Sequence, residues 1–321
     1  MDTNWHSIFN NFKKIKVLIV GDAMIDSYMW GSINRQSPEA PIPIVNIEKH
    51  EKRLGGAANV ASNIKALGAT PILCSVIGNE DKGFFELMKR ENLSTKGILQ
   101  EERKTTVKTR IISENKHQLR VDEEDTFPII NESDFIKHTI DLMSNVHVVI
   151  FQDYNKGVLT KHVINSLVEY ATIKMIPTLV DPKNENYFQY KGVNLFKPNT
   201  KELIESISLT EVLSLENISK IITKQRKQLD AKLFLLTLSE RGVFIQTENQ
   251  EHHYPAYKRT IIDVSGAGDA VIATAALGLT QKLDYHILAQ FANLAGGLSC
   301  EKVGVNPIDK DNLLNEAIRL I

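Results

Sequence analysis

Apolar residues in this chain fall in short, nearly continuous runs separated by longer amphipathic stretches. IKVLIVG (15–21), PILCSVIG (71–78), VHVVIFQDY (146–154), PTLVDPK (177–183), NLFKPN (194–199) and KLFLLTL (232–238) have the length and β-branched content of strands buried on both faces. Helix-like segments of ten to twenty residues lie between most of them. That alternation predicts βαβ units, and hence a mostly parallel sheet flanked by helices on both faces. In such sheets ligands bind beyond the carboxyl ends of the strands. Asp22 and Asp26 after the first run, Asp153 after the third, Asp181 and Lys183 after the fourth and Asn199 after the fifth all fall there.

Two stretches break the alternation. SYMWGSINRQSPEAPIPIVNIEKH (27–50) and TTVKTRIISENKHQLRVDEED (105–125) are β-rich and partly alternating, with no helical pattern between their strands, as in an antiparallel meander. They predict one small antiparallel sheet, built from two insertions, that sits over the strand ends as a lid. No repeat, low-complexity tract or long linker interrupts the chain. The expectation is one α/β domain over residues 1–321, with that β lid.

Composition narrows the partners. At 321 residues with 42% hydrophobic content the chain can bury a full core. Lys plus Arg (38) nearly balance Asp plus Glu (39), which leaves no basic field for nucleic acid or an anionic membrane. The N-terminal stretch lacks an apolar core of signal-peptide length, and no apolar run approaches the roughly 20 residues of a membrane helix. A cytoplasmic protein is expected. Cys74 and Cys300 lie far apart in strand- or helix-like segments, which suits packed, reduced thiols. The histidines show no ligand spacing, and adjacent His252 and His253 would point to opposite faces of a strand.

Three motifs carry chemistry. In DVSGAGDA (263–270) the amides of Gly266, Ala267 and Gly268 fall at the first turn of the apolar helix that follows, where they lack intrahelical partners and the helix dipole is positive. This is an anion site, and Asp269 beside it can accept a proton from an attacking hydroxyl. An Asp in a first turn also stabilises a helix by about 0.3–1 kcal/mol without any chemistry. A dinucleotide fingerprint is excluded, because the third glycine position is Val271 and no strand feeds the loop. In RLGGAANVASNIKALG (53–68), Val60, Ile64 and Leu67 make an ordinary amphipathic face, but Gly55 and Gly56 do not follow from it. They leave room for a ligand at the helix start, where Asn59 offers donor and acceptor together, as a sugar diol requires. Asp26 can serve the same hydroxyls or be a turn aspartate. In KPNTKE (197–202), Asn199 and Glu202 fit a capping box and equally a pair that orients the water shell of a nucleotide-bound Mg²⁺.

GGAANVASN (55–63), NTKE (199–202), TLSERG (237–242) and DVSGAGDA, in this order and at these separations, resemble the ribokinase-like (PfkB-type) carbohydrate kinases over nearly the whole chain. The absence of a Walker A string fits that family. RQSPEAPIPIV (35–45), FQDYNKGVL (151–159), LVDPK (179–183) and TLSERG further resemble the kinase half of the bifunctional heptose 7-phosphate kinase/heptose 1-phosphate adenylyltransferases. The resemblance implies a ribokinase-like fold, with ATP and Mg²⁺ as the requirements of the reaction. It implies Asp269 as catalytic base, with Gly266, Ala267 and Gly268 as the anion hole. Asn199 and Glu202 would organise Mg²⁺ and the ATP phosphates, and Asp26, Gly55, Gly56 and Asn59 the sugar. Nucleotide contacts would come from Ser239, Gly242 and Lys183, although Ser239 stands where the wider family has glycine. CEKVGVNP (300–307) resembles the loop that covers adenine and helps form a monovalent-cation site in some relatives, which leaves K⁺ open.

The expected reaction phosphorylates the anomeric hydroxyl of D-glycero-D-manno-heptose 7-phosphate to the 1,7-bisphosphate, toward ADP-heptose and the lipopolysaccharide core. Arg110, Arg120 and Lys156 are the first candidates for the 7-phosphate, ahead of Arg35 and Lys183. The rivals are a kinase of another sugar (fructose, ribose or a hexose phosphate) and a non-catalytic sugar-phosphate sensor. No histidine has the H-x-G-H context of the adenylyltransferase, so a kinase without that domain is expected, and lid sheets of the family suggest a homodimer through the lid.

Overall fold

The computed structural model describes residues 3–114, 116–209 and 213–321; Asn115, inside the second lid stretch, lies outside them. The strands run β1 (Lys16–Gly21), β2 (Ala23–Gln36), β3 (Pro43–Gly56), β4 (Thr70–Gly78), β5 (Ile98–Glu101), β6 (Val107–Ser113), β7 (Lys116–Glu123), β8 (Val148–Gln152), β9 (Thr178–Asp181), β10 (Leu195–Phe196), β11 (Leu233–Thr237), β12 (Val243–Gln246) and β13 (Glu251–Tyr254). The helices are α1 (Trp5–Asn11), α2 (Ala57–Ala66), α3 (Phe84–Arg90), α4 (Glu132–Met143), α5 (Lys161–Ile173), α6 (Thr200–Ser206), α7 (Ile218–Leu229), α8 (Ala267–Thr280), α9 (Tyr285–Ser299) and α10 (Lys310–Leu320).

Nine strands form the main sheet in the order β13-β12-β11-β10-β9-β8-β1-β4-β5. Pairing is parallel from β11 to β5; at one edge β12 pairs antiparallel with β11, and β13 antiparallel with β12. All six apolar runs read as strands lie in this sheet. The pleat sends alternate residues to opposite faces, and two cores result. Val17 and Ile19 of β1 join Ile150, Leu179 and Leu235 under α2, α8 and α9. Leu18 and Val20 join Val149, Phe151, Phe196 and Phe234 under α4, α5 and α7. Helix α5 shows the fit of sequence to layer: Val163, Ile164, Leu167, Val168 and Ala171 recur at helical spacing and are its buried residues. Helix α8 is apolar all round because α2 and α9 enclose it, and Ala270 through Gly278 are all buried.

The two helix-free insertions form a separate four-stranded sheet, β3-β2-β6-β7. Each insertion is an antiparallel hairpin, but the two are joined by parallel pairing of β2 with β6. The strands meet in that sense because β2 and β6 both leave the main sheet in the same direction. Cys74 and Cys300 are free and buried. Among the described residues no helix is long and apolar enough to cross a membrane.

Candidate active site

Helix α8 enters the site from a loop. Gly266 is its N-cap residue with φ +82°, a conformation that favours glycine, and a Cβ there would lie 2.9 Å from Asn59 Nδ2. The loop is braced by Asp263, whose carboxylate accepts from Ser265 N at 2.9 Å and Gly304 N at 2.8 Å. Burial opposes ionisation of Asp263, but these amide donors outweigh it and hold its pKa below the usual carboxylate range. Of the three predicted anion-hole amides, that of Ala267 is turned back onto Val264 O at 3.2 Å. The amides of Gly266 and Gly268 are not engaged in this way and remain the candidates for an anion.

Asp269 lies in the first turn of α8 and is 3% exposed. Its Oδ2 accepts from Asn59 Nδ2 at 2.6 Å. Its Oδ1 accepts from Tyr154 Oη at 2.9 Å and Gln152 Nε2 at 3.1 Å. Burial pushes the Asp269 carboxyl up to about 7; the bonds from Asn59 and Tyr154 and the charge of Lys197 oppose that rise, while the charge of Asp181 adds to it. The Gln152 amide also donates to Asp181 Oδ2 at 3.1 Å, and Asp181 pairs with the buried Lys197 at 2.9 Å. Near-neutral titration in a group beside free helix-start amides is what a general base needs.

At the predicted sugar cradle, the glycine pair is explained by two close approaches. A Cβ on Gly55 would lie 2.2 Å from Asp26 Oδ2, and one on Gly56, at φ +56°, would lie 2.4 Å from Asp22 O. Asp26 is buried in β2 and ion-paired with Arg110 of β6. Tyr28, two residues on and so on the same lid face, lies under the guanidinium groups of both Arg53 and Arg110. The late loop is stitched to this face: Val305 N donates to Tyr28 Oη at 2.9 Å, and Arg53 Nη1 donates to Val303 O, Val305 O and Asn306 Oδ1, each at 3.0 Å. The loop 154–158 is organised by Asp22, a buried carboxylate that accepts from the amides of Tyr154, Lys156 and Val158.

At the predicted nucleotide end, Asn199 and Glu202 form a complete capping box at the start of α6: Asn199 Oδ1 accepts from Glu202 N at 2.9 Å, and Glu202 Oε2 accepts from Asn199 N at 2.8 Å. Glu202 Oε1 pairs with Lys183, whose ammonium also lies over the Tyr154 ring. Asn199 forms a bridge with Thr237, which sets α6 beside the turn carrying Ser239 (φ +57°) and Gly242 (φ +88°). Both Glu202 oxygens are already bonded within the protein, a donor set that fits holding a hydrated Mg²⁺ through its waters better than direct ligation. Among the described residues no group of three or more His, Cys, Asp and Glu could hold a metal by itself.

The predicted residues therefore gather at one end of the sheet, with exceptions among the cations. Arg120 faces Arg110 across β6 and β7 but pairs with Asp122, with 59% of its side chain exposed. Lys156 pairs with Glu124 at 2.7 Å. Arg35 does not belong to the site: it is exposed at the far end of β2, nine residues and about 30 Å of strand beyond Asp26. Sequence reasoning gave no role to Gln152, Tyr154, Lys197, Lys108 or Arg53. Lys108 pairs with Asp122 and Glu124 on the same lid face as Asp26.

Comparison with known proteins bears on the family and the fold. The model of the pfkB family carbohydrate kinases matches residues 14–311. A protein named Bifunctional protein HldE from Campylobacter jejuni is 38% identical over 305 residues, covering 95% of this chain and 65% of its own length. The protein of that name from Helicobacter hepaticus is 36% identical over 300 residues, covering 91% and 61%. The chain thus spans somewhat less than two thirds of the curated relatives it matches. Among solved structures, phosphofructokinase-2 from Escherichia coli in complex with substrates and products superposes with TM-score 0.79 at 16% identity, covering 95% of this chain and 99% of that one. Arabidopsis thaliana ribokinase complexed with ribose and ATP gives 0.73 at 13%, covering 96% and 99%. At these identities the structures attest the fold.

Proposed function

The chain belongs to the pfkB family of carbohydrate kinases, and from that premise we propose that it transfers the γ-phosphoryl group of ATP to the anomeric hydroxyl of D-glycero-D-manno-heptose 7-phosphate. The product is the 1,7-bisphosphate, a precursor for ADP-heptose and the lipopolysaccharide core, and the reaction is cytoplasmic. The observation that carries the chemistry is the buried Asp269 carboxylate beside the Gly266 and Gly268 amides, hydrogen-bonded to Asn59 on the sugar side. The choice of sugar is supported by RQSPEAPIPIV, FQDYNKGVL, LVDPK and TLSERG, and by similarity along nearly the whole chain to proteins named Bifunctional protein HldE.

In the proposed reaction Asp269 orients the hydroxyl and takes its proton as the new oxygen–phosphorus bond forms and the bond from the γ-phosphorus to the ADP oxygen breaks. The transition state is loose and spreads charge over the equatorial oxygens, so the protein's share is positioning and electrostatics. The two glycine amides meet that charge. Asp26, Gly55, Gly56 and Asn59 form the sugar cradle, and Arg110, Lys156 and Arg120 supply positive charge for the 7-phosphate once their carboxylate partners yield. Asn199, Glu202 and Lys183 face the nucleotide phosphates, with Ser239 and Gly242 at the adjoining turn. Bound Mg²⁺, held through water by Asn199 and Glu202, supplies further charge neutralisation; K⁺ near the late loop is part of the same proposal. The working form is a homodimer joined through the lid sheet.

The test is ADP release across a panel of sugars and sugar phosphates, with Asp269→Asn as control. Release with heptose 7-phosphate, and not with fructose, ribose or hexose phosphates, is the expected result. Release with one of the others and none with the heptose overturns the substrate assignment.

A further inference from the structure

Resting on this reading of Asp269 as the base, we infer that Tyr154 and Gln152 are positioning residues: they dedicate one oxygen of Asp269 to the protein and leave the other to the incoming hydroxyl. The two carboxylate oxygens are unequal. Oδ1 accepts two donors, Tyr154 Oη at 2.9 Å and Gln152 Nε2 at 3.1 Å. Oδ2 accepts one, Asn59 Nδ2 at 2.6 Å. That same Asn59 nitrogen lies against Gly266, so Oδ2 is the oxygen that borders the helix mouth, and it retains a lone pair.

Both donors are held in place from behind. The Gln152 amide spans two carboxylates, Asp269 and Asp181, and Lys197 anchors the second. Tyr154 is fixed at its backbone by the buried Asp22, which accepts from its amide at 2.8 Å. The Lys183 ammonium, paired with Glu202 on the nucleotide side, lies over the Tyr154 ring at 5.4 Å. Tyr154 therefore stands between the nucleotide-side pair and the base. Burial, together with the charges of Asp269 and Asp181, holds its phenol well above the ordinary value, so it stays protonated and acts as a donor at working pH.

A donor that favours the ionised carboxylate lowers its pKa, and a ring that merely fills space does not. Tyr154→Phe keeps the ring. The expected result is that the acidic limb of kcat/KM for the sugar phosphate moves up by about one pH unit, a tenfold loss below the limb, with KM for ATP held within about twofold. In the Asp269→Asn background Tyr154→Phe should bring no further loss. The carboxyl ¹³C titration of Asp269 in the unliganded protein, assigned with Asp269→Asn, should move in the same direction, and it needs no turnover. An unmoved titration and limb, or losses that multiply in the double variant, overturn the inference and make Tyr154 a packing residue. If the wild-type protein turns over no sugar phosphate while its Asp269 titration still shifts in Tyr154→Phe, the hydrogen-bond clamp stands and the substrate reading falls.

Discussion

At the scale of single residues the proposed reaction turns on one carboxyl, whose burial sets when it can act as a base. A base must be ionised to accept a proton, and Asp269, raised to about 7, is mostly protonated below that pH. The sign follows: kcat/KM should climb as pH rises through about 7 and level off above it, since kcat/KM reports the free enzyme. Asp269→Asn should lower kcat by about 10² to 10⁴ and abolish the climb. Gly55→Ala should act by another route, because its Cβ would come within 2.2 Å of Asp26 Oδ2. The expected outcome is a rise of at least about tenfold in KM for the sugar phosphate, as the cradle loses its geometry, with KM for ATP unchanged. Asp269 and the glycines could be named as candidates because SGAGDA sets bare amides and a carboxylate together at a helix start, and the longer strings around the chain point the same way. Gln152 and Tyr154 were given no role: VHVVIFQDY reads as a strand and its end, and FQDYNKGVL entered only as a string carrying the resemblance. That both donate to one carboxylate more than a hundred positions away is a fact of the sheet, in which β8 lies beside β1 and β9 and ends next to the mouth of α8.

Among the elements, α6 carries two duties on one pair of residues. Its capping box satisfies first-turn amides, and the same side chains face the proposed nucleotide phosphates, so sequence spacing alone could not separate cap from function. Substitution can separate them. Asn199→Ala should lose about 1 kcal/mol of stability and raise KM for MgATP. Asn199→Ser keeps a capping oxygen but lacks the amide; its thermal midpoint should return toward wild type while KM for MgATP stays high. If both properties recover together, Asn199 is a cap alone. The same limit of local pattern governs the strands. The six short apolar runs were readable because burial on both faces demands nearly continuous hydrophobicity. The edge strands β5 and β13 were not named, since an edge strand such as EHHY needs no apolar run; β12, paired on both sides, was missed because VFIQ is only four residues long. The parallel pairing of β2 with β6 depends on the path of the chain between the hairpins, which no local pattern encodes.

For the molecule as a whole, the lid is the part whose two faces carry different chemistry. Toward the site it presents Asp26, Tyr28, Lys108 and Arg110. Register puts Met29, Ile111 and Leu119 in one row on the opposite face, with Ser27, Thr109 and Val121 in the next. Leu119 is 57% exposed and Val121 45%, both on β7, the outer strand of that sheet. An apolar row on a four-stranded sheet with a free edge is a surface that water penalises and a second copy can cover. Pairing lid to lid would also hold the hairpins over the site, where the late loop already grips them through Tyr28 and Arg53. Leu119→Asp with Val121→Asp should therefore convert a species of twice the chain mass into a monomer in sedimentation experiments. Because those side chains lie on the lid face opposite Asp26, kcat should change little, while KM for the sugar phosphate should rise as the lid loses its support and the thermal midpoint should fall as the partner's stabilisation is lost. A wild-type protein that sediments as a monomer at every concentration would remove the lid dimer from the account and leave the chemistry of Asp269 untouched.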